Sequence, residues 1–140
     1  MLNEAEVLAT AAHAGQFDKA GKPYIFHPCT VAAMVKTEEE KTVAWLHDVV
    51  EDTPVTLDEL RGHGFPEPVV AAVDVLTKRS GMEYGEYIRR VKQNPLALTV
   101  KIADMTHNMD LSRIPYPTAK DYARCEKYSR AIADLKTEKE

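Results

Sequence analysis

Helix-start signals recur along this chain, and no stretch alternates apolar and polar residues as a half-buried strand does. Thr37 with Glu40, Thr56 with Glu59, Ser80 with Glu83 and Thr118 with Asp121 have the spacing of a capping box, the last in its aspartate variant. Asn94-Pro95 reads as an N-cap followed by a first-turn proline. These signals predict helices over 2–14, 28–36, 38–51, 57–63, 66–77, 83–93, 95–111 and 118–136. The one long loop runs from Gly15 to His27 and holds two glycines and Pro23. The expected fold class is all-α, a bundle of about eight helices.

Size and charge narrow the function classes. The 140 residues are expected to form one domain, 1–140, with only the charged tail 136–140 frayed. A net charge of −4 argues against a nucleic-acid or membrane-surface binder, so an anionic ligand would need local cations or a metal. Two cysteines, Cys29 and Cys125, are too few for a disulfide scaffold and point to a reducing cytoplasm. Nothing reads as a signal peptide, and the longest apolar runs, such as Val69 to Leu76 with Asp74 inside, fall short of the ~20 residues that span a bilayer. A long helical surface is compatible with a homo-oligomer.

Chemistry concentrates in His47-Asp48-Val49-Val50-Glu51-Asp52, at the end of the expected helix 38–51. Val43, Leu46 and Val50 follow the helical period toward a core, and His47, four residues after Val43, lies on that side too. Asp48 diverges from it by about 100° but still reaches an ion near the helix wall, and Glu51 and Asp52 repeat the geometry roughly 6 Å along. In the helix 95–111, Leu98, Ile102, Met105 and Met109 form one apolar stripe, while Ala97, Val100 and Leu111 form another. Asp104 shares the second stripe, where an ionised carboxylate is costly unless a cation, such as Lys101 or a metal, compensates it. Asn108 would sit beside it one turn on, and the direction of His107 is ambiguous. His27 stands in or next to the N-cap of a proline-started helix. Together His27, His47, Asp48 and Asp104 make a mixed N/O set suited to Mn²⁺, Fe²⁺ or Zn²⁺. His13 and His63 read as structural or solvated.

Three ordered motifs carry a family resemblance: Ala12-His13-Ala14-Gly15-Gln16 running on to Pro23-Tyr24-Ile25-Phe26-His27-Pro28, then Ala44 to Thr53, then Lys101 to Met109. Over roughly residues 5–112 the chain resembles the HD-domain hydrolases, and within them the alarmone hydrolase domain of the RelA/SpoT type. The resemblance implies that His27, His47, Asp48 and Asp104 bind one divalent metal, usually Mn²⁺, that Glu51 and Asp52 are the catalytic acidic pair, and that Lys19 and Asn108 contact the nucleotide. It implies removal of pyrophosphate from the 3′ position of guanosine tetra- or pentaphosphate, with no synthetase half expected in these 140 residues.

Departures fall on the nucleotide side. Asp18 stands where the family usually carries an arginine able to stack on guanine, and Met105-Thr106 and Asp110 also depart from its pattern. Two alternatives remain open here. One is an HD hydrolase for another nucleotide, either adenine-based or a 2′/3′-phosphorylated cofactor of the NADPH type; the other is a non-catalytic nucleotide-sensing module.

Overall fold

Three of the four expected capping boxes close, and each starts a helix. In the computed structural model, which describes residues 1–137, the Thr37, Thr56 and Thr118 side chains accept from the N–H of Glu40, Glu59 and Asp121, whose carboxylates reach back to the cap N–H. The helices are α1 (Leu2–Ala12), α2 (Phe26–Met34), α3 (Glu38–Leu46), α4 (Val49–Asp52), α5 (Leu57–Gly62), α6 (Glu67–Leu76), α7 (Tyr84–Lys92), α8 (Pro95–Asn108) and α9 (Ala119–Lys136), with one 3₁₀ turn at Leu111–Arg113. No strand is formed among the described residues; Phe17 and Pro23 make a single antiparallel bridge in the loop. The tail 136–140, expected to fray, lies mostly outside the described residues.

The fourth box does not form. Gly81, at φ +84°, turns the chain between Ser80 and Glu83, and α7 starts after Glu83 without a side-chain cap.

The expected helix 38–51 is broken after Leu46. Nδ1 of His47 lies 2.5 Å from the Ala44 carbonyl, which an uninterrupted helix would give to the N–H of Asp48. The break rotates the next turn of chain, so Val49 is fully buried in place of Val50. A second correction concerns the start of α2. Its first turn already contains His27, because the N–H groups of Phe26 and His27 bond to the carbonyls of Pro23 and Tyr24. Pro28 fits inside that turn, where its missing N–H has no helical partner to lose.

α3 is the central element, touching α1, α2, α6 and α8, and α8 in turn touches α2, α6, α7 and α9. Val43, Leu46, Val69, Val73 and Val100 fill the space between them. A fully buried side chain of this size contributes about 1.5–3 kcal/mol over an exposed one. On α8 Ala97, Val100 and Asp104 are buried together with Met105 of the other stripe, while Leu98 and Ile102 are only partly buried. The core therefore presses Asp104 against α2 and α3. Lys41 ties the pair together from outside, donating to the Ala32 and Val35 carbonyls at the end of α2.

Candidate metal centre and adjoining cleft

The α3–α4 turn, the first turn of α2 and the middle of α8 meet at one point. Donor atoms of His27, His47, Asp48 and Asp104 lie within 4.8 Å of one another. Nε2 of His27 is 2.7 Å from Oδ1 of Asp104, and Nε2 of His47 is 3.4 Å from that oxygen and 3.1 Å from Oδ2 of Asp48. Ligand atoms about 2.1 Å from a shared ion lie roughly 3 Å apart, so the cluster has a suitable size. Its donor chemistry fits too. The Ala44 carbonyl can only accept, so Nδ1 of His47 carries a proton and Nε2 is the nitrogen that an ion would take in place of its proton.

Electrostatics around the cluster are strongly coupled. Burial opposes charge on Asp104, yet hydrogen bonds from His27 and His47 hold it well below the usual carboxylate range, with His47 and Lys101 adding their charge. Burial also opposes ionisation of Asp48, but His47 beside it keeps its pKa at about 2. Burial likewise opposes charge on His47, yet Asp48 and Asp104 push it well above its ordinary value. Lys101 pairs with the other oxygen of Asp104 at 3.1 Å, and Asn108 donates to Oδ1 at 3.1 Å. The lysine pairing and the histidine contacts are thus simultaneous, one on each oxygen. Tyr24 donates its hydroxyl to Oδ2 of Asp48 and aims that carboxylate.

Glu51 and Asp52 on α4 stand next to Asp48, within the same 4.8 Å spacing. Both remain substantially exposed. Burial first, then the charges of Asp48 and other carboxylates, pushes both above their ordinary values; for Glu51, the Lys78 N–H bonded to Oε1 at 2.7 Å opposes the rise. The loop pins α4 from behind: Gln16 donates to the Asp52 carbonyl at 3.1 Å and faces His13 Nδ1 at 2.9 Å.

A cleft of about 340 Å³ opens beside His27. Its lining includes Asp18, Lys19, Asn108, Ile114, Arg124 and Tyr128. Asp121, buried at the N-terminus of α9, lies 3.7 Å from Lys19 Nζ and 3.2 Å from Arg124 Nη2, bracketing the loop to α9. Asp18 does not simply point a charge at the cleft. Its Oδ1 accepts from the N–H groups of Ala20 and Lys22 and shapes the turn at Gly21, whose φ is +81°.

The four expected metal-site residues are therefore together, Glu51 and Asp52 adjoin them through Asp48, and Lys19 and Asn108 share the cleft. Lys22 does not line the cleft. Sequence reasoning missed Gln16, Tyr24, Arg124 and Tyr128. Arg124 and Tyr128 have i, i+4 spacing on α9, but only tertiary packing brings that helix to the cleft.

No protein-family model matches the chain. It is 37% identical over 122 residues to the bifunctional (p)ppGpp synthase/hydrolase SpoT of Escherichia coli, covering 77% of this chain and 17% of that protein. It is 35% identical over 118 residues to the guanosine-3′,5′-bis(diphosphate) 3′-pyrophosphohydrolase of Haemophilus influenzae, covering 74% and 17%. A GTP pyrophosphokinase of Streptomyces coelicolor is 34% identical over 125 residues, covering 80% and 15%. The chain thus spans about a sixth of the length of the curated relatives it matches. Among solved structures, a metazoan ortholog of SpoT described as hydrolysing ppGpp shares the fold, with a TM-score of 0.78 at 23% identity, over 96% of this chain and 84% of that one.

Proposed function

The chain belongs to the HD-type alarmone hydrolase family, and from that premise we propose that it is a metal-dependent phosphohydrolase that removes pyrophosphate from the 3′ position of guanosine tetra- or pentaphosphate. The observation that carries the proposal is the convergence of His27, His47, Asp48 and Asp104 beside Glu51 and Asp52, at a cleft lined by His27 itself with Lys19 and Arg124. A pure binding module has no need of the acidic pair. We read residues 1–140 as one catalytic domain working in a reducing, cytoplasmic compartment, with both cysteines free.

His27, His47, Asp48 and Asp104 hold one divalent ion, Mn²⁺ in the first instance. When bound, such an ion neutralises phosphate charge and lowers the pKa of a water toward ~7. Lys19 and Arg124 attract the polyphosphate, and Asn108 offers its amide at the junction of cleft and cluster. Lys19 is 67% exposed and only loosely paired with Asp121, so it can turn to a substrate at small cost. Glu51 and Asp52 accept the proton of the attacking water. The water oxygen bonds to the phosphorus on the 3′ oxygen, that P–O bond breaks, and the proton taken from the water passes to the 3′ oxygen, so pyrophosphate leaves a free 3′ hydroxyl.

Asp18 favours a second reading of the base. With its carboxylate committed to the loop turn, the base would lie between Ile114, Tyr128 and the loop, contacts that do not distinguish guanine from adenine. A Mn²⁺-supplemented screen of 3′-diphosphorylated guanosine and adenosine nucleotides and NADPH, with Glu51→Ala as control, decides between them. Turnover of the guanosine compounds alone supports the first reading. Turnover of the others alone supports the second, and no turnover of any overturns both.

A further inference from the structure

We infer that His107 is a positioning residue for the metal centre: its Nδ1 accepts the proton of His27 Nδ1 and so keeps Nε2 of His27 unprotonated toward the ion. The inference rests on the metal-centre reading above. The two Nδ1 atoms are 2.7 Å apart, the ring centroids are 5.0 Å apart and the ring planes differ by 14°. Nearly parallel rings whose nitrogens lie so much closer than their centroids meet edge to edge, with one nitrogen aimed at the other. At that distance two N–H groups would repel, as would two lone pairs, so a single proton lies between them.

That proton has two homes: without an ion Nε2 of His27 carries a proton toward the Asp104 carboxylate, and an ion in the cluster would take the place of that Nε2 proton and so select Nδ1. Nε2 of His27 is the atom that faces the other donors, 2.7 Å from Oδ1 of Asp104 and 3.9 Å from Oδ2 of Asp48. An ion there takes the Nε2 lone pair, and a neutral imidazole carries only one proton, which must then be on Nδ1. His107 is left as the acceptor at Nδ1, with its own proton on Nε2. His47 meets the same requirement with the Ala44 carbonyl, which has only one role to play. His27 depends instead on a second imidazole, whose tautomer must match. His107 lies on α8 three residues from Asp104, so one helix carries both a ligand and the partner of another ligand.

The test is Mn²⁺ affinity, read from the free-ion electron paramagnetic resonance signal, in wild type, His107→Leu and His107→Asn. Asparagine can place an oxygen acceptor where His107 has Nδ1; leucine has a similar shape and no acceptor. His107→Leu should bind Mn²⁺ about ten- to a hundredfold more weakly, with His107→Asn close to wild type and all three melting together in chelator. Equal affinity in His107→Leu and wild type overturns the inference, as does an equal loss in both variants. Nitrogen NMR of the Zn²⁺-loaded wild type gives a reading independent of variant folding: His27 protonated at Nδ1 and His107 at Nε2. The reverse placement overturns it. A wild type that takes up neither ion overturns the metal-centre reading and this inference with it; uptake unchanged by His107→Leu overturns the inference alone.

Discussion

The Gln16 side chain reaches the Asp52 carbonyl at 3.1 Å across 36 residues of sequence, joining the loop that forms one wall of the cleft to the end of the helix that carries the acidic pair. Because that carbonyl only accepts, the Gln16 amide nitrogen faces it and its oxygen faces His13, which donates from Nδ1. α4 is four residues long and has little helical stability of its own. The Gln16 contact therefore helps to hold α4 in place, together with the Lys78 N–H that holds the Glu51 carboxylate directly.

Replacing Gln16 with alanine should lower kcat by about ten- to a hundredfold, through misplacement of Glu51 and Asp52. Mn²⁺ affinity should not change, since no ligand is touched. Steady-state kinetics alongside metal titration check this; a loss of metal with the activity would contradict it.

Lys19→Ala should raise KM about tenfold with kcat nearly unchanged, the low end of what a charge-assisted hydrogen bond contributes. Its loose pairing with Asp121 predicts a melting temperature close to wild type.

The acidic pair predicts the direction of the pH–rate profile. A carboxylate acts as a base only when ionised, so activity falls as pH falls, and burial with neighbouring carboxylates places that fall above the usual range for Glu and Asp. Glu51→Gln should remove most of the activity at every pH.

In chelator, stability should peak in weak acid. The depressed pKa of Asp48 adds stability that is complete above its ordinary 3.8 and is lost as pH falls toward about 2. The raised pKa of His47 adds stability that is complete below its ordinary 6.5 and is lost as pH rises through its elevated folded value. Metal requires His47 Nε2 without its proton, so the rise in melting temperature caused by Mn²⁺ should grow as pH rises from the ordinary 6.5 through the elevated folded value of His47. Thermal melts with and without Mn²⁺ test both signs.

Much of this architecture is legible in the sequence because capping is local. The boxes at Thr37, Thr56 and Thr118 each need only two residues, three positions apart, to agree. Ser80 failed because its box spans Gly81, which turns the chain. The four residues of the proposed metal site, which the structure brings together, stood out by their chemistry and motif order. Their supporting partners were not, since Tyr24 with Asp48, Gln16 with Asp52 and His107 with His27 are bonds between distant segments. The break after Leu46 was equally hidden, because it depends on the His47 ring competing for the Ala44 carbonyl rather than on any helix-breaking residue.

The central claim is tested most directly by pyrophosphate release from guanosine 3′,5′-bis(diphosphate), measured with Mn²⁺ and with chelator for wild type and Asp104→Ala. The account predicts release by the wild type with Mn²⁺, loss in chelator that added Mn²⁺ restores, and no restoration in Asp104→Ala. Release that persists in chelator, or an Asp104→Ala protein as active as wild type, would contradict it.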